Sequence, residues 1–169
     1  DKDGLVSEHK AGDQEMRTWF VDHCSPGNFS GTISEAMVGA DIFIGVSAPD
    51  VLKESDVAAM AAGSIVFALA NPDPEIDPAI ARKYAAVVAT GRSDQPNQIN
   101  NVLAFPGIFR GLLDGRITKI TDTMLVAAAD AISSCVTSDQ LNANFIVPSV
   151  FDTQVVTKVA DAVKLAGRA

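Results

Sequence analysis

The sequence predicts an α/β fold in which a parallel β-sheet is flanked by helices and followed by further helices towards the C-terminal end. Three short apolar runs, at 41–46, 64–69 and 86–89, are bounded by turn residues and have the length of buried strands. Helix-length segments separate these runs, and strands that alternate with helices form parallel sheets with right-handed crossovers. The runs are uniformly apolar, which is typical of a sheet covered on both faces.

Helix-start and helix-stop signals place the helices around these strands. Thr32 and Glu35 have the spacing of a capping box, Asp77 before Pro78 supplies an N-cap and a proline at N1, and Gly63 is suited to a C-cap. The predicted helices are 13–23, a short helix to about residue 39, 54–62, one starting at 78, 103–113, 122–136 and 153–166.

Apolar stripes with helical spacing indicate which helix faces are buried. The first helix carries Met16, Trp19 and Phe20 on one face. The stripe of 122–136 consists of Leu125, Ala128, Ala129, Ile132 and Val136, and that of 153–166 consists of Val155, Val159, Val163 and Ala166. Asp152 can cap the last helix. We expect these faces to pack in the core.

Composition and charge exclude several classes of protein. With 47% hydrophobic and 20% charged residues, the chain has the balance of a soluble globular protein. The formal net charge of −8 disfavours nucleic acid and anionic membranes as partners. The absence of a run of 18 apolar residues and of a signal-peptide pattern favours a cytoplasmic protein. Cys24 and Cys135, which are far apart in sequence, are expected to be reduced thiols.

The chain begins at Asp1 in a turn-forming segment rather than at a methionine. We therefore expect it to be a piece of a longer polypeptide. No repeat, low-complexity segment or linker occurs within it, so we expect a single domain.

Candidate ligand-binding segments follow the predicted strands, because ligands of open parallel sheets bind beyond the carboxyl ends of the strands. The first segment is 45–49, Gly-Val-Ser-Ala-Pro. Its small residues allow a flat or charged ligand to approach the backbone; the alternative is a tight turn before a helix. The second segment, 70–75, contains Asn71 before a proline, which holds the asparagine in an extended conformation. Its amide can bond a carboxylate, a ribose oxygen or a carboxamide, whereas an Asx-type turn is the alternative.

The third segment, 89–101, is the densest polar stretch of the chain. A pocket for a small polar organic acid explains such a concentration of amides better than a surface loop does. Arg92 can pair with a carboxylate or a phosphate, or else form a surface ion pair. The sequence contains no GxGxxG motif, P-loop, nucleophilic triad or carboxylate cluster with metal-ligand spacing. The residues alone therefore indicate an amide-rich site at the strand ends.

Residues 90–111, Thr-Gly-Arg-Ser-Asp-Gln-Pro-Asn-Gln-Ile-Asn-Asn-Val-Leu-Ala-Phe-Pro-Gly-Ile-Phe-Arg-Gly, closely resemble a signature of the bacterial malic enzymes. Residues 67–75, Phe-Ala-Leu-Ala-Asn-Pro-Asp-Pro-Glu, resemble another, and segments 40–45 and 146–152 also fit. The resemblance covers essentially the whole chain. It implies a Rossmann-like parallel sheet that is incomplete at its N-terminal side, with 1–169 forming the C-terminal part of the NAD(P)-binding domain.

The resemblance implies an enzyme that oxidises (S)-malate with NAD or NADP and releases CO2 to give pyruvate. In that family a divalent metal, Mg²⁺ or Mn²⁺, polarises the C2 oxygen, a lysine is the general base and a tyrosine the general acid. Partners implied are malate and pyruvate, the remainder of the same polypeptide and further copies in a homo-oligomer.

Site residues carried over by the resemblance are limited to positions that match. The substrate-binding residues are Asn71, Asn100 and Asn101. The cofactor-binding residues are Asp1, Gly45, Val46, Ser47, Asn71, Gly91, Arg92 and Asn101. Asp1 matches the acidic residue that contacts the adenosine ribose. Lys2 beside it can tolerate a 2′-phosphate, so the choice between NAD and NADP stays open.

The chain departs from the family pattern in its chemistry-bearing residues. The tyrosine, the lysine, the metal-binding carboxylates and the glycine-rich phosphate loop of the family precede the point where this chain begins, and Lys83 and Tyr84 do not match the catalytic pair. We therefore expect no catalytic residue and no metal ligand in this chain, and an isolated chain that is inactive. The absent phosphate-binding strand would leave unpaired backbone at the sheet edge.

Two alternatives remain at this point. One is a non-catalytic dinucleotide-binding or regulatory module of the same fold, which would not need amides that contact malate. The other is a different NAD-linked dehydrogenase, such as one that acts on an amino acid; none of the quoted motifs supports it.

Overall fold

The structure is a computed structural model and describes residues 15–24 and 31–168. Its elements, in chain order, are α1 (Glu15–Cys24), α2 (Ile33–Met37), β1 (Ile42–Gly45), α3 (Glu54–Ala58), β2 (Ile65–Ala68), α4 (Pro78–Ala81), β3 (Val87–Thr90), a 3₁₀ turn (Asn101–Leu103), α5 (Phe105–Gly115), α6 (Asp122–Ser133) and α7 (Thr153–Ala166). The fold is a three-stranded parallel sheet flanked by helices, as expected for a Rossmann-like domain.

The sheet has the strand order β1-β2-β3. In the parallel pair β1–β2, Ile42 aligns with Ile65 and Gly45 with Ala68, so both strands end at the same level. All three predicted strands are present, with β3 running one residue further than predicted. The chain divides into two compact units, one ending at Val87 and the other starting at Val88.

The prediction of three fully buried strands is wrong for β1. Ile42 is 55% exposed and Ile44 63% exposed. β1 is the end strand in the sheet order, and no element among the described residues covers the face that carries these side chains. Val66 and Ala68 of β2 are fully buried, as a covered strand requires.

The predicted helix starts at Thr32 and Asp77 are confirmed. The backbone N–H of Thr32 donates to Glu35 Oε2 at 2.7 Å, and that of Glu35 donates to Thr32 Oγ1 at 3.3 Å, which completes the capping box. The bond from Thr32 lowers the pKa of Glu35. Asp77 Oδ1 accepts the N–H of Ala79 at 2.8 Å, with Pro78 at N1.

The predicted helix end at Gly63 is wrong, because α3 already ends at Ala58. The backbone that follows α3 forms hydrogen bonds to the turn after α2 instead of continuing the helix. Ala59 O accepts the N–H of Gly39 at 2.9 Å, and the N–H of Ala61 donates to Ala40 O at 3.1 Å. Gly63, at φ +80°, belongs to the turn that leads into β2.

The second unit has a core built from α5, α6 and α7. Val155, Val159 and Val163 of α7 are almost fully buried, which confirms that stripe, and Asp152 caps the helix by accepting the N–H of Gln154 at 2.9 Å. The buried core residues of this unit are Leu103, Ile108, Met124, Ala128, Ala131, Val155, Val159 and Val163.

The predicted stripe of α6 is partly wrong. Met124, Ala128 and Ala131 are the buried residues of that helix, whereas Leu125 is 47% exposed and Ala129 is exposed. Both sets are apolar and have helical spacing, so periodicity could not choose between them. Packing of α6 against its neighbours in the unit made the choice.

Helices α5 and α7 approach closely at two glycines of α5. A Cβ on Gly111 would lie 2.5 Å from the carbonyl oxygen of Ala160 and 2.9 Å from Val163 Cβ, and one on Gly107 would lie 2.5 Å from Val159 Cβ. Real Cβ atoms essentially never come this close to another atom, so a larger residue at either position would force the two helices to shift.

We predict that Gly111→Ala destabilises the second unit by roughly 1–3 kcal/mol, because overpacking forces α5 and α7 apart. The melting temperature of the full-length protein that contains this chain should fall by several °C. Gly91→Ala is the matched control, since a Cβ there would meet nothing closer than Ile99 O at 4.0 Å. Equal melting temperatures for the two variants would contradict the close crossing.

Two further expectations are tested by the described residues. Cys24 and Cys135 are unpaired thiols, and burial raises the pKa of Cys135. None of the helices in 15–24 and 31–168 has the length and apolarity needed to cross a membrane.

Candidate functional site

The loop after β1 turns directly beyond the carboxyl end of that strand. Gly45 is buried and Val46 is 79% exposed. The backbone N–H and the hydroxyl of Ser47 both donate to the same carboxylate oxygen. The N–H of Ser47 donates to Glu75 Oε1 at 2.8 Å and its hydroxyl donates to the same oxygen at 3.2 Å. The polar groups of this residue are therefore used within the protein, and the loop offers an apolar side chain to its exterior.

Glu75 is fully buried, and its second oxygen reaches the loop after β2. Glu75 Oε2 accepts the N–H of Ala70 at 3.0 Å, so one carboxylate receives three donors from two loops. Its backbone oxygen also accepts the N–H of Leu52 at 3.0 Å. The sequence shows Glu75 only as the end of segment 70–75, because the burial of a single carboxylate leaves no local pattern.

Gly45 is a glycine because Glu75 occupies the space of a side chain. A Cβ on Gly45 would lie 2.5 Å from both Cδ and Oε1 of Glu75 and 2.7 Å from Phe43 Cε1. The sequence suggested that small residues here admit a ligand. The described contacts give an internal reason for this particular small residue, namely close approach of the protein's own carboxylate.

Asn71 follows β2 and is exposed. The bond between Asn71 and Pro72 is cis. Among the described residues its amide makes no hydrogen bond, so the Asx-type turn that was the structural alternative is not formed. The Asn71 amide is thus open to a ligand at the end of β2.

The loop after β3 is held by Asn97, a residue that the sequence did not single out. This buried asparagine donates from Nδ2 to Val88 O at 3.1 Å and to Ala143 O at 2.8 Å, and its Oδ1 accepts the N–H of Ile146 at 3.0 Å. Asn97 has φ +57°, a conformation that asparagine tolerates better than most residues. Its amide is fully used in joining three segments of the second unit.

The two predicted site residues Asn100 and Asn101 differ in the hydrogen bonds that their side chains make. Asn100 Oδ1 accepts the N–H of Val102 at 3.0 Å and so caps the 3₁₀ turn. Asn101 is exposed, and its amide makes no hydrogen bond within the part of the chain that the structure describes. In this loop, Asn97 and Asn100 therefore have structural roles, whereas the amide of Asn101 can bind a ligand.

Arg92 forms the surface ion pair that was the alternative to ligand binding. Its Nε donates to Asp94 Oδ1 at 2.9 Å and a terminal nitrogen donates to Oδ2 at 2.7 Å. The bonds from Arg92 hold the pKa of Asp94 below its usual value. Gly91 is exposed, and its oxygen accepts from Gln98 at 3.4 Å. A cofactor contact by Gly91 or Arg92 stays a prediction.

The predicted site residues fall in both compact units. Gly45, Val46, Ser47 and Asn71 belong to the first unit, and Gly91, Arg92, Asn100 and Asn101 to the second. Asp1 lies outside the described residues. No group of three or more His, Cys, Asp or Glu side chains with metal-binding geometry occurs in 15–24 and 31–168.

Lys83 and Tyr84 lie in an exposed cluster with Glu54. Lys83 Nζ and Tyr84 Oη reach Glu54 Oε1 at 3.1 Å and 2.9 Å. The bond to Glu54 raises the pKa of both Lys83 and Tyr84. A raised pKa keeps lysine protonated at neutral pH, which is the opposite of what a general base requires.

The sequence profile described as "Malic enzyme, NAD binding domain" matches residues 1–167. The NAD-dependent malic enzyme of Geobacillus stearothermophilus is 52% identical over 163 residues, a match that covers 96% of this chain and 34% of that protein. The NADP-dependent malic enzyme of Rhizobium meliloti is 44% identical over 149 residues, covering 78% of this chain and 19% of that protein. The chain therefore spans about a third of the first relative and about a fifth of the second.

A solved structure has the same fold. The crystal structure of the NAD-dependent malic enzyme from Thermotoga maritima superimposes with a TM-score of 0.88 at 42% identity. The match covers 96% of this chain and 43% of that one. Similarity of this extent in both sequence and structure reflects common descent rather than a shared fold alone.

Proposed function

Because the chain belongs to the malic enzyme NAD-binding domain family, we propose that the full-length protein containing it converts (S)-malate and NAD(P)⁺ into pyruvate, CO2 and NAD(P)H. C2 of malate loses a hydride and its hydroxyl proton, and the bond between C3 and C4 is not touched by that step. The bond between C3 and C4 then breaks and releases CO2, and the electron pair that it leaves takes up a proton at C3, which gives pyruvate. The chain spans 34% of its relative from Geobacillus stearothermophilus, so the activity is proposed for the whole polypeptide.

One observation supports this proposal most directly. Of the asparagines at the strand ends, Asn97 and Asn100 are used by the fold, whereas Asn71 and Asn101 are exposed with amides that no described residue bonds. Neutral amides can donate N–H to a carboxylate and also accept from a carboxamide N–H. Malate beside a nicotinamide presents both of these groups.

The residues of this chain are proposed to bind and orient, and none of them to transfer a proton. NAD(P)⁺, when bound, supplies the hydride acceptor. The loop Gly45–Ser47 fits it through the exposed side chain of Val46, since the donors of Ser47 already bond Glu75. As the resemblance implies, the ligands of the family's divalent metal are proposed to lie outside this chain.

The proposal is tested by purifying the full-length protein and following absorbance at 340 nm with (S)-malate, NAD⁺ or NADP⁺, and Mn²⁺ or Mg²⁺. We expect malate-dependent reduction with pyruvate and CO2 formed in equal amounts, and none with (R)-malate. Dinucleotide binding without any malate oxidation would favour the non-catalytic module instead. Accumulation of oxaloacetate without CO2 would point to a different dehydrogenase.

Several finer points belong to the same proposal. We propose that 1–169 is the C-terminal part of the NAD(P)-binding domain, that the isolated chain is inactive, and that the protein is a cytoplasmic homo-oligomer. Relatives that use NAD and relatives that use NADP both match this chain, so either dinucleotide is a candidate.

A further inference from the structure

We propose that Glu75 is a positioning residue that fixes the loop after β1 and the loop after β2 relative to each other, so that the dinucleotide and malate are presented together. This inference rests on the proposed function for the identity of the two ligands.

The geometry that carries the proposal lies wholly within the first unit. Glu75 Oε1 accepts from both donors of Ser47, in the loop assigned to the dinucleotide. Glu75 Oε2 accepts from the N–H of Ala70, which directly precedes Asn71. The carboxylate therefore spans the gap between two segments that come after neighbouring strands and are far apart in sequence.

Burial makes this bridge stiff. Glu75 is 0% exposed, so water cannot replace its partners, and a buried carboxylate without donors carries a large desolvation cost. Gly45 packs directly against the carboxylate, where a side chain on residue 45 would not fit. The neighbouring residues Pro74 and Ile76 are also buried, which leaves the side chain of Glu75 little freedom.

The donor pattern explains why a carboxylate is required rather than an amide. All three partners of Glu75 are donors, so both oxygens must accept. Glutamine at this position would always point its NH2 group at one of the two loops, where it meets another donor. Glu75→Gln should therefore release either Ser47 or Ala70 while keeping the size of the side chain.

We expect Glu75→Gln in the full-length protein to raise the dissociation constant for NAD⁺ and the KM for malate at saturating NAD⁺, each by about tenfold. Small misplacements of binding groups commonly have effects of this size or larger. A purely structural role would instead lower the melting temperature and the active fraction while leaving both constants unchanged.

Asp56→Asn is the matched control. Asp56 is also a buried carboxylate of the first unit, and its Oδ2 accepts the backbone N–H of Lys53 at 2.9 Å, but it holds a helix start and not the two loops. We expect this variant to lose stability with both constants within twofold of the wild type. Unchanged constants in Glu75→Gln, with or without a lower melting temperature, would overturn the proposal.

A milder variant decides the question if Glu75→Gln yields no soluble protein. Ser47→Ala removes only the hydroxyl bond to Glu75, and Ser47 is not among the residues assigned to malate. A several-fold higher malate KM at saturating NAD⁺ would support coupling of the loops, and an unchanged malate KM would refute it.

The two proposals fail in different ways. Wild-type protein that oxidises no malate would refute the proposed function alone, and calorimetric titration of NAD⁺ into wild type and Glu75→Gln would still decide the role of Glu75. Normal malate oxidation in both proteins, with equal constants, would refute the role of Glu75 and leave the proposed function intact.

Discussion

Replacing Asn101 by alanine is expected to lower kcat/KM for malate by roughly 10- to 150-fold in the full-length protein. A hydrogen bond to a charged group contributes about 1.5–3 kcal/mol, and about 1.4 kcal/mol corresponds to a factor of ten. Asn101 is exposed and its amide bonds no described residue, so truncation should leave the fold intact. Steady-state kinetics in malate, with the melting temperature measured alongside, checks both parts.

Two further variants sharpen the test of Asn101. Asn101→Asp keeps the shape but sets a carboxylate against the carboxylates of malate, so it should be more damaging than alanine. Asn144→Ala is the matched control, because Asn144 is another exposed asparagine of the second unit and has no assigned ligand. An Asn101→Ala enzyme with the malate kinetics of Asn144→Ala would remove Asn101 from the site.

Replacing Asn97 by alanine is expected to have the largest effect on stability. The change removes the partners of two carbonyl oxygens and of the Ile146 N–H in a buried setting. Each buried group left unsatisfied costs about 1–3 kcal/mol, so a total loss of roughly 3 kcal/mol or more is expected. Alanine at φ +57° adds strain of about 1 kcal/mol.

Asn97→Gly separates the two contributions. Glycine loses the same hydrogen bonds but adopts positive φ without strain, so this variant should be more stable than Asn97→Ala by about 1 kcal/mol. Hydrogen–deuterium exchange should rise in peptides covering 88–101 and 143–147 in both variants. Exchange and melting temperature equal to the wild type would show that the three bonds of Asn97 contribute nothing.

Asn97 and Asn101 illustrate which features of the site can be predicted from the sequence and which cannot. The amide-rich segment was recognised as unusual from its residue types, and two of its asparagines were carried over through the resemblance. Which amides the fold uses depends on partners such as Ala143, 46 residues away from Asn97. A local sequence pattern does not show partners this distant, so the structural role of Asn97 was not predicted.

The same limit applies to Glu75. Its motif was visible in the sequence, yet its role depends on Ser47, which lies 28 residues earlier and is brought close by β1–β2 pairing. A carboxylate is usually exposed, so its burial is not expected from composition. The glycine at position 45 was noted as small, but the reason for its size is the same long-range contact.

The sequence by itself determined the positions of the strands and of several helix starts, through interactions between residues that are close in the chain. Runs of apolar residues set the three strands, and capping residues such as Thr32, Asp77 and Asp152 set helix starts, because these signals act between residues a few positions apart. Tertiary structure alone decided which face of α6 is buried, where α3 ends, and which polar side chains are consumed by the fold. Each of those outcomes depends on packing and hydrogen bonds between segments that only folding brings together.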